Sequence, residues 1–181
     1  VMGGGTRRSA LWGGLHWKHP YLGKFLKIKD WDEDIRALKA KKYEYPAPLD
    51  MMNISVIIDD EYIRQLQSGN PQVGDLHAQI CGSMVRTGEP AFLNMARIRR
   101  DDPEVVTVNP CTEATLFHHD SCNLGSIVLP RIRDLSHLEE VTRLAIRFLY
   151  NGSLKGQYPI PEIGDVVRKN RRIGLGFMGL H

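Results

Sequence analysis

Apolar positions along the chain change their period several times, and each change marks a predicted element. Residues 10–17 are nearly continuous in apolar and small side chains, the pattern of a buried strand, weakened by Gly13 and Gly14. His19-Pro20 then opens a predicted helix over 21–29, with Leu22, Phe25, Leu26 and Ile28 on its inner side. Residues 30–40 mix charges and are expected as an exposed turn or short helix, broken by Pro46 and Pro48. The stretch 51–58 runs apolar instead of alternating, as a parallel strand covered on both faces does. Asp59-Asp60-Glu61 starts a helix with acids at its positive end, and Ser68-Gly69-Asn70-Pro71 ends it. Another helix is predicted over 74–87, stopped by Gly88-Glu89-Pro90. Short strands are predicted over 91–96, 105–108 and 122–129, with a loop over 97–103. Leu138, Val141, Leu144, Ala145 and Phe148 recur at helical spacing within 135–149. Ser136 is expected as that helix's N-cap, with Glu139 completing a capping box. Pro159 and Pro161 lead to a last helix over 162–170 and a final apolar turn. Strand and helix alternate throughout, which predicts an α/β fold with a parallel sheet or barrel.

Composition narrows the function classes. A chain of 181 residues can bury a sizeable core. Its net charge of +3 is well mixed, so no nucleic-acid partner is expected. Arg97, Arg99 and Arg100 run straight into Asp101 and Asp102, which reads as a solvated loop. Arg168-Lys169-Asn170-Arg171-Arg172 reads as a helix C-terminus complementing its dipole. No apolar run is long enough to span a membrane, so no membrane partner is expected. Cys81, Cys111 and Cys122 form no Cys-x-x-Cys pair, hence neither a disulfide framework nor a zinc site, and a reducing cytoplasm is the expected location. Cys81, inside a predicted helix, reads as a small buried side chain. His16 and His19 flank Trp17-Lys18, and His118 and His119 are adjacent. Adjacent strand residues point to opposite faces, so His118 and His119 are not expected to share an ion, and no metal site is expected.

One segment carries chemistry that packing does not explain. From Asn109 to Ser126 the chain reads Asn-Pro-Cys-Thr-Glu-Ala-Thr-Leu-Phe-His-His-Asp-Ser-Cys-Asn-Leu-Gly-Ser. In an extended segment residues two apart share a face, so Asn109, Cys111 and Glu113 are expected to project together. They would supply an amide, a sulfur and a base. Pro110 is a poor choice inside a regular strand, and Glu113 is costly to bury without a task. Near the start, Gly3, Gly4 and Gly5 permit close backbone approach, and Arg7 and Arg8 can meet a phosphate or a base edge. No Gly-Lys-Ser/Thr follows them, which excludes a P-loop.

This pattern resembles the active-site loop of the catalytic chain of ribonucleotide reductases, where Asn-Pro-Cys-x-Glu precedes a Ser-Cys-Asn-Leu-Gly-Ser-Ile segment like 121–127. Gly3-Gly4-Gly5-Thr6-Arg7-Arg8-Ser9-Ala10, Asn53-Ile54-Ser55-Val56, Thr87-Gly88-Glu89-Pro90 and Arg171-Arg172-Ile173-Gly174-Leu175-Gly176 are similar to family motifs as well. The spacing of these motifs is most similar to the adenosylcobalamin-dependent class; the iron- or manganese-activated class shares Asn-x-Cys-x-Glu. The resemblance implies part of a ten-stranded α/β barrel, with the Cys111 loop threaded through its centre. Residues 1–181 would then be the central part of the catalytic barrel domain, incomplete at both ends and inactive alone. It implies that Cys111 becomes the thiyl radical that takes the 3′-hydrogen of a ribonucleotide, that Glu113 is the base for the 3′-hydroxyl, and that Asn109 holds the sugar hydroxyls. Cys122 would be one of two reducing thiols, its mate lying on an earlier barrel strand. The loop of Gly3, Gly4, Gly5, Arg7 and Arg8 would sense a deoxynucleoside triphosphate effector, with Arg7 facing the substrate. Implied partners are the remainder of the reductase chain and a thioredoxin-like protein or other external dithiol reductant. Adenosylcobalamin would be bound mostly by parts outside these residues. A barrel fragment acting only in assembly is the non-enzymatic alternative.

Overall fold

The computed structural model describes residues 2–3 and 7–181, with side chains from Ser9 onward. The chain forms two compact units, residues 1–113 and 114–181.

In the first unit, β1 (Met2–Gly3) and β2 (Arg7–Arg8) pair antiparallel. A three-stranded parallel sheet follows, ordered β3 (Leu11–His16), β4 (Met52–Ile58), β5 (Ala91–Asn94). Parallel neighbours need crossovers. The first contains α1 (Leu22–Phe25) and α2 (Glu33–Lys41); the second contains α3 (Asp60–Gln67) and α4 (Pro71–Thr87). Strand β4 is the middle one, which explains its apolar run: Ile54 and Val56 are fully buried. Val56, Ile58, Trp17, Leu22, Leu26, Tyr62, Val73 and Ile80 make the core. The glycines of β3 are close-packing positions more than weaknesses. A Cβ at Gly14 would meet the Trp12 ring at 2.3 Å, and the Trp12 indole donates to Ser55 Oγ at 3.0 Å.

Several helix boundaries differ from the sequence expectation, each for a capping reason. Asn70 accepts from the Gln72 and Val73 amides, so α4 starts at Pro71, where a missing N–H costs nothing. It ends at Gly88, whose φ of 80 suits a left-handed cap. Asn94 accepts from the Arg97 amide at 2.9 Å and starts α5 (Met95–Asp101), where a loop was expected. Within α5, Arg99 reaches the Val105 carbonyl and Arg100 reaches Asp60, so the basic cluster is bonded and not merely solvated. Cys81 is half-buried, and its sulfur lies 3.6 Å from His77 Nε2. His77 Nδ1 lies 2.8 Å from the Tyr62 hydroxyl. Burial and the neighbouring Cys81 push the Tyr62 phenol up to about 12. The unit closes with β6 (Thr107–Val108), shorter than expected.

The second unit contains β7 (Thr115–Leu116), β8 (Asn123–Val128), α6 (Leu135–Lys155), α7 (Pro161–Asn170) and β9 (Ile173–Met178). Strands β8 and β9 pair in parallel, Asn123 opposite Ile173 and Val128 opposite Met178. The expected apolar turn at the end is therefore a strand. Asp134, not Ser136, caps α6, accepting from the His137 amide at 2.8 Å. Helix α6 lies on β8: Leu149 stands where a Cβ on Gly125 would touch it at 3.5 Å. Asn123 donates to Ser153 Oγ at 2.9 Å. Arg168 and Lys169 occupy the last turn of α7 as the dipole argument expects. Both parallel sheets fit an α/β barrel family, and no sheet among the described residues closes on itself.

Asp59, immediately after β4, joins three elements of the first unit. Its carboxylate accepts from the Tyr62 amide at 2.8 Å, capping α3, and from the Trp17 indole at 3.0 Å. His16 Nε2 lies 3.2 Å from its other oxygen. Burial raises the Asp59 carboxyl, but the Tyr62 amide, the Trp17 indole and His16 together hold it below the ordinary 3.8. Asp59→Ala is expected to cost about 2–3 kcal/mol, a lost cap plus lost hydrogen bonds to a charged acceptor, read as a lower urea midpoint. Because the folded value is depressed, this carboxylate's charge contributes fully above 3.8 and is lost as pH falls through the folded value. Asparagine keeps the cap and removes the charge. The melting-temperature gap between wild type and Asp59→Asn should therefore narrow on acidification below 3.8, and a constant gap would contradict the assignment.

Candidate active site

The Asn-Pro-Cys-Thr-Glu segment is a turn, not an extended strand. The Thr112 amide donates to the Asn109 carbonyl at 2.9 Å, closing a β-turn with Pro110 and Cys111 at its corners. Proline at the first corner presets the backbone angle that such a turn requires. Thr112 itself takes φ of 66, in the left-handed region. Alternation along a strand therefore does not group Asn109, Cys111 and Glu113, because Pro110 and Thr112 bend the chain between them. The turn sets Cys111 at a corner, with its side chain exposed. Glu113 is exposed as well, and Asn109 is half-buried.

The turn is rooted on the central strand. Asn53 of β4 donates its side-chain amide to the Pro110 carbonyl at 2.8 Å, across 57 residues of sequence. The next residue, Ile54, is fixed in the core. Cys111 thus sits one residue from an atom held by the most buried strand of its unit. Asn53 was legible as a motif residue but not as a ligand of the turn.

Cys122 belongs to the second unit, one residue before β8. It is half-buried, and its sulfur would lie 3.8 Å from a Cβ placed on Gly174 of β9. A Cβ there would also meet the end of the Leu124 side chain at 2.5 Å, so any larger residue would first have to displace that leucine. All three cysteines are thiols. Two residues upstream, the Asp120 side chain is 0% exposed. Its Oδ2 accepts from Arg172 Nε at 2.7 Å and Asn170 Nδ2 at 2.8 Å, and Oδ1 from the Ser121 amide at 2.9 Å. The Arg172 guanidinium also lies over the Phe117 ring, 4.6 Å from its centroid. The sequence reading passed over this cluster. Its only signal was an acid close to a cysteine motif and an arginine just ahead of an apolar run.

The remaining candidates divide. Gly4 and Gly5 lie outside the described residues. Gly3, Arg7 and Arg8 are described as paired backbone alone. His118 and His119 sit in a turn, His119 with φ of 59, so the strand argument about their faces does not apply. Among the described residues no group of three or more His, Cys, Asp or Glu side chains could hold a metal ion. No described helix is long and apolar enough to cross a membrane.

Comparison with known proteins connects both units. Residues 69–181 match the family model described as ribonucleotide reductase, barrel domain. The chain is 33% identical to the vitamin B12-dependent ribonucleoside-diphosphate reductase of Mycobacterium tuberculosis strain H37Rv, over 98% of this chain and 27% of that protein. It is 29% identical to the enzyme of the same name from Thermoplasma acidophilum, over 97% of this chain and 25% of the relative. The chain thus spans roughly a quarter of the length of the curated relatives it matches. Among solved structures, the Actinobacillus ureae class Id ribonucleotide reductase alpha subunit shares the fold with a TM-score of 0.65 at 19% identity, covering 93% of this chain and 33% of that one. On the family match, which takes in Cys111, Cys122, β8 and β9, this chain belongs to the ribonucleotide reductase barrel-domain family.

Proposed function

We propose that this chain carries the radical cysteine and one reducing thiol of an adenosylcobalamin-dependent ribonucleotide reductase, working in the cytoplasm on ribonucleoside di- or triphosphates. The observation that carries the reading is Cys111 at the corner of a turn anchored by Asn53, inside Asn-Pro-Cys-Thr-Glu. A sulfur that must exchange a hydrogen with a sugar carbon needs a fixed position, and the anchored turn offers one.

The residue roles follow from the chemistry. Loss of a ribose 2′-hydroxyl by an ionic route is slow, because a poor leaving group departs from an unactivated carbon. A radical at C3′ makes that loss feasible. Cys111, as a thiyl, takes the 3′-hydrogen and later returns it. Glu113, an exposed carboxylate two residues on, takes the 3′-hydroxyl proton as the carbonyl forms. Asn109 hydrogen-bonds the sugar hydroxyls. Cys122 and a second thiol from another segment of the enzyme supply two protons and two electrons. The 2′-hydroxyl leaves as water, C2′ gains hydrogen, and the two thiols end as a disulfide. An external dithiol such as a thioredoxin-like protein then reduces that disulfide. Adenosylcobalamin, when bound, would supply the initiating radical, and the remainder of the reductase would hold it. The loop of Gly3, Gly4, Gly5, Arg7 and Arg8 would report a deoxynucleoside triphosphate effector to the substrate base.

Three substitutions in the full-length enzyme test these roles. Cys111→Ser should abolish turnover and leave nucleotide binding nearly intact, because an oxygen-centred radical is too costly to form. Measurable deoxynucleotide from that variant would remove the thiyl assignment. Cys122→Ser should permit radical initiation but stop productive reduction, so that substrate decays with release of free base. Normal turnover with a dithiol would make Cys122 merely structural. Arg7→Ala should change which base is reduced more than it changes the chemical step. Loss of one hydrogen bond to a charged group costs about 1.5–3 kcal/mol, roughly tenfold or more in preference. An equal loss for all four substrates would indicate a folding role instead.

A further inference from the structure

We propose that Asp120 is a positioning residue for Cys122: its buried carboxylate clamps the two parallel strands where they enter the sheet and so sets where the thiol stands. The inference rests on the reading of Cys122 as a reducing thiol. Three observations carry it. First, Asp120 precedes β8 by three residues, and Arg172 precedes β9 by one, so their ion pair sits at the shared entrance of the two strands. Second, the carboxylate is fully buried, and Arg172, Asn170 and the Ser121 amide donate to it at 2.7–2.9 Å, with the Phe117 amide a longer donor at 3.4 Å. A buried carboxylate without such partners is costly, so the geometry of those donors is enforced. Third, the register begins directly after the clamp, Asn123 opposite Ile173 and Leu124 opposite Gly174, and it brings the Cys122 sulfur over the bare backbone of Gly174.

The connection to Cys122 is short and stiff. Asp120 Oδ1 accepts from the amide of Ser121, the residue immediately before Cys122, which fixes the backbone that aims the thiol. Oδ2 fixes the opposite strand through Arg172. One side chain therefore sets both walls of the space that Cys122 occupies. A one-residue slip of a strand would turn every side chain to the other face, and Gly174 would no longer lie against the sulfur.

The test uses the full-length reductase with cytidine diphosphate or triphosphate, adenosylcobalamin and dithiothreitol. Asp120→Ala is expected to lower kcat roughly ten- to a hundredfold, the effect of an ångström-scale misplacement, with KM for the nucleotide little changed. It should also raise free base released per deoxynucleotide formed, because a misplaced thiol delivers its hydrogen too slowly. Asp120→Asn keeps the shape and one acceptor oxygen, so it should partly restore both readings. A role in folding alone would reduce the folded fraction without moving the ratio of base to product. Should the alanine variant fail to fold, the asparagine variant still reads the ratio. If the folded Asp120 variants keep wild-type kcat and ratio while Cys122→Ser releases base, the positioning role is overturned and the reading of Cys122 stands. If Cys122→Ser itself turns over normally, the thiol reading fails and Asp120 has nothing to position.

Discussion

A parallel strand buried on both faces must have its backbone groups paired on both edges, because no water reaches them. Strand β4 obeys this constraint, and the first unit is arranged around it. β3 pairs along one edge and β5 along the other. Helices α1, α3 and α4 of the two crossovers pack on the apolar side chains of β4. The ends of β4 then become reference points for two polar clusters. Asn53, near its start, holds the Pro110 carbonyl and with it the turn that presents Cys111. Asp59, just past its end, holds Trp17, His16 and the first turn of α3. The thiol corner and the helix cap are thus fixed to the same rigid rod.

The second unit solves a similar problem with a side chain in place of a central strand. Two parallel strands have no tight turn to set their register, and the connection between β8 and β9 runs through two α-helices. Asp120 supplies the missing tie. Its partners come from the end of α7 and the entry to β9, so one carboxylate coordinates three elements. Both cysteines of interest therefore stand next to residues whose polar atoms are held from far away in sequence, Cys111 through Asn53 and Cys122 through Asp120.

Much of this was legible in the sequence, and the parts that were not share a cause. The apolar run of β4, the helical spacing of α6 and the motifs around Cys111 and Cys122 depend on neighbours within a few residues, and reading along the chain finds them. Pro71 and Asn94 were misread because a proline after a helix suggests a break and Met95-Ala96 extends an apolar run; only the cap hydrogen bonds show that helices start there. Strand β9 was taken for a turn because Gly174 and Gly176 remove side chains from the alternation. The alternation argument for Asn109, Cys111 and Glu113 fails at Pro110, already a poor fit to a strand, which stands at the corner of a turn. The Asn53–Pro110 and Asp120–Arg172 contacts span 57 and 52 residues, beyond any local pattern.

Thr112 stands directly behind Cys111 with a left-handed backbone that a β-branched residue adopts at a cost of about 1–3 kcal/mol. Glycine would take that conformation freely, against some added entropy in the unfolded chain. Any other branched residue would carry the same backbone cost, so the residue beside the thiol stands where backbone economy alone would favour glycine.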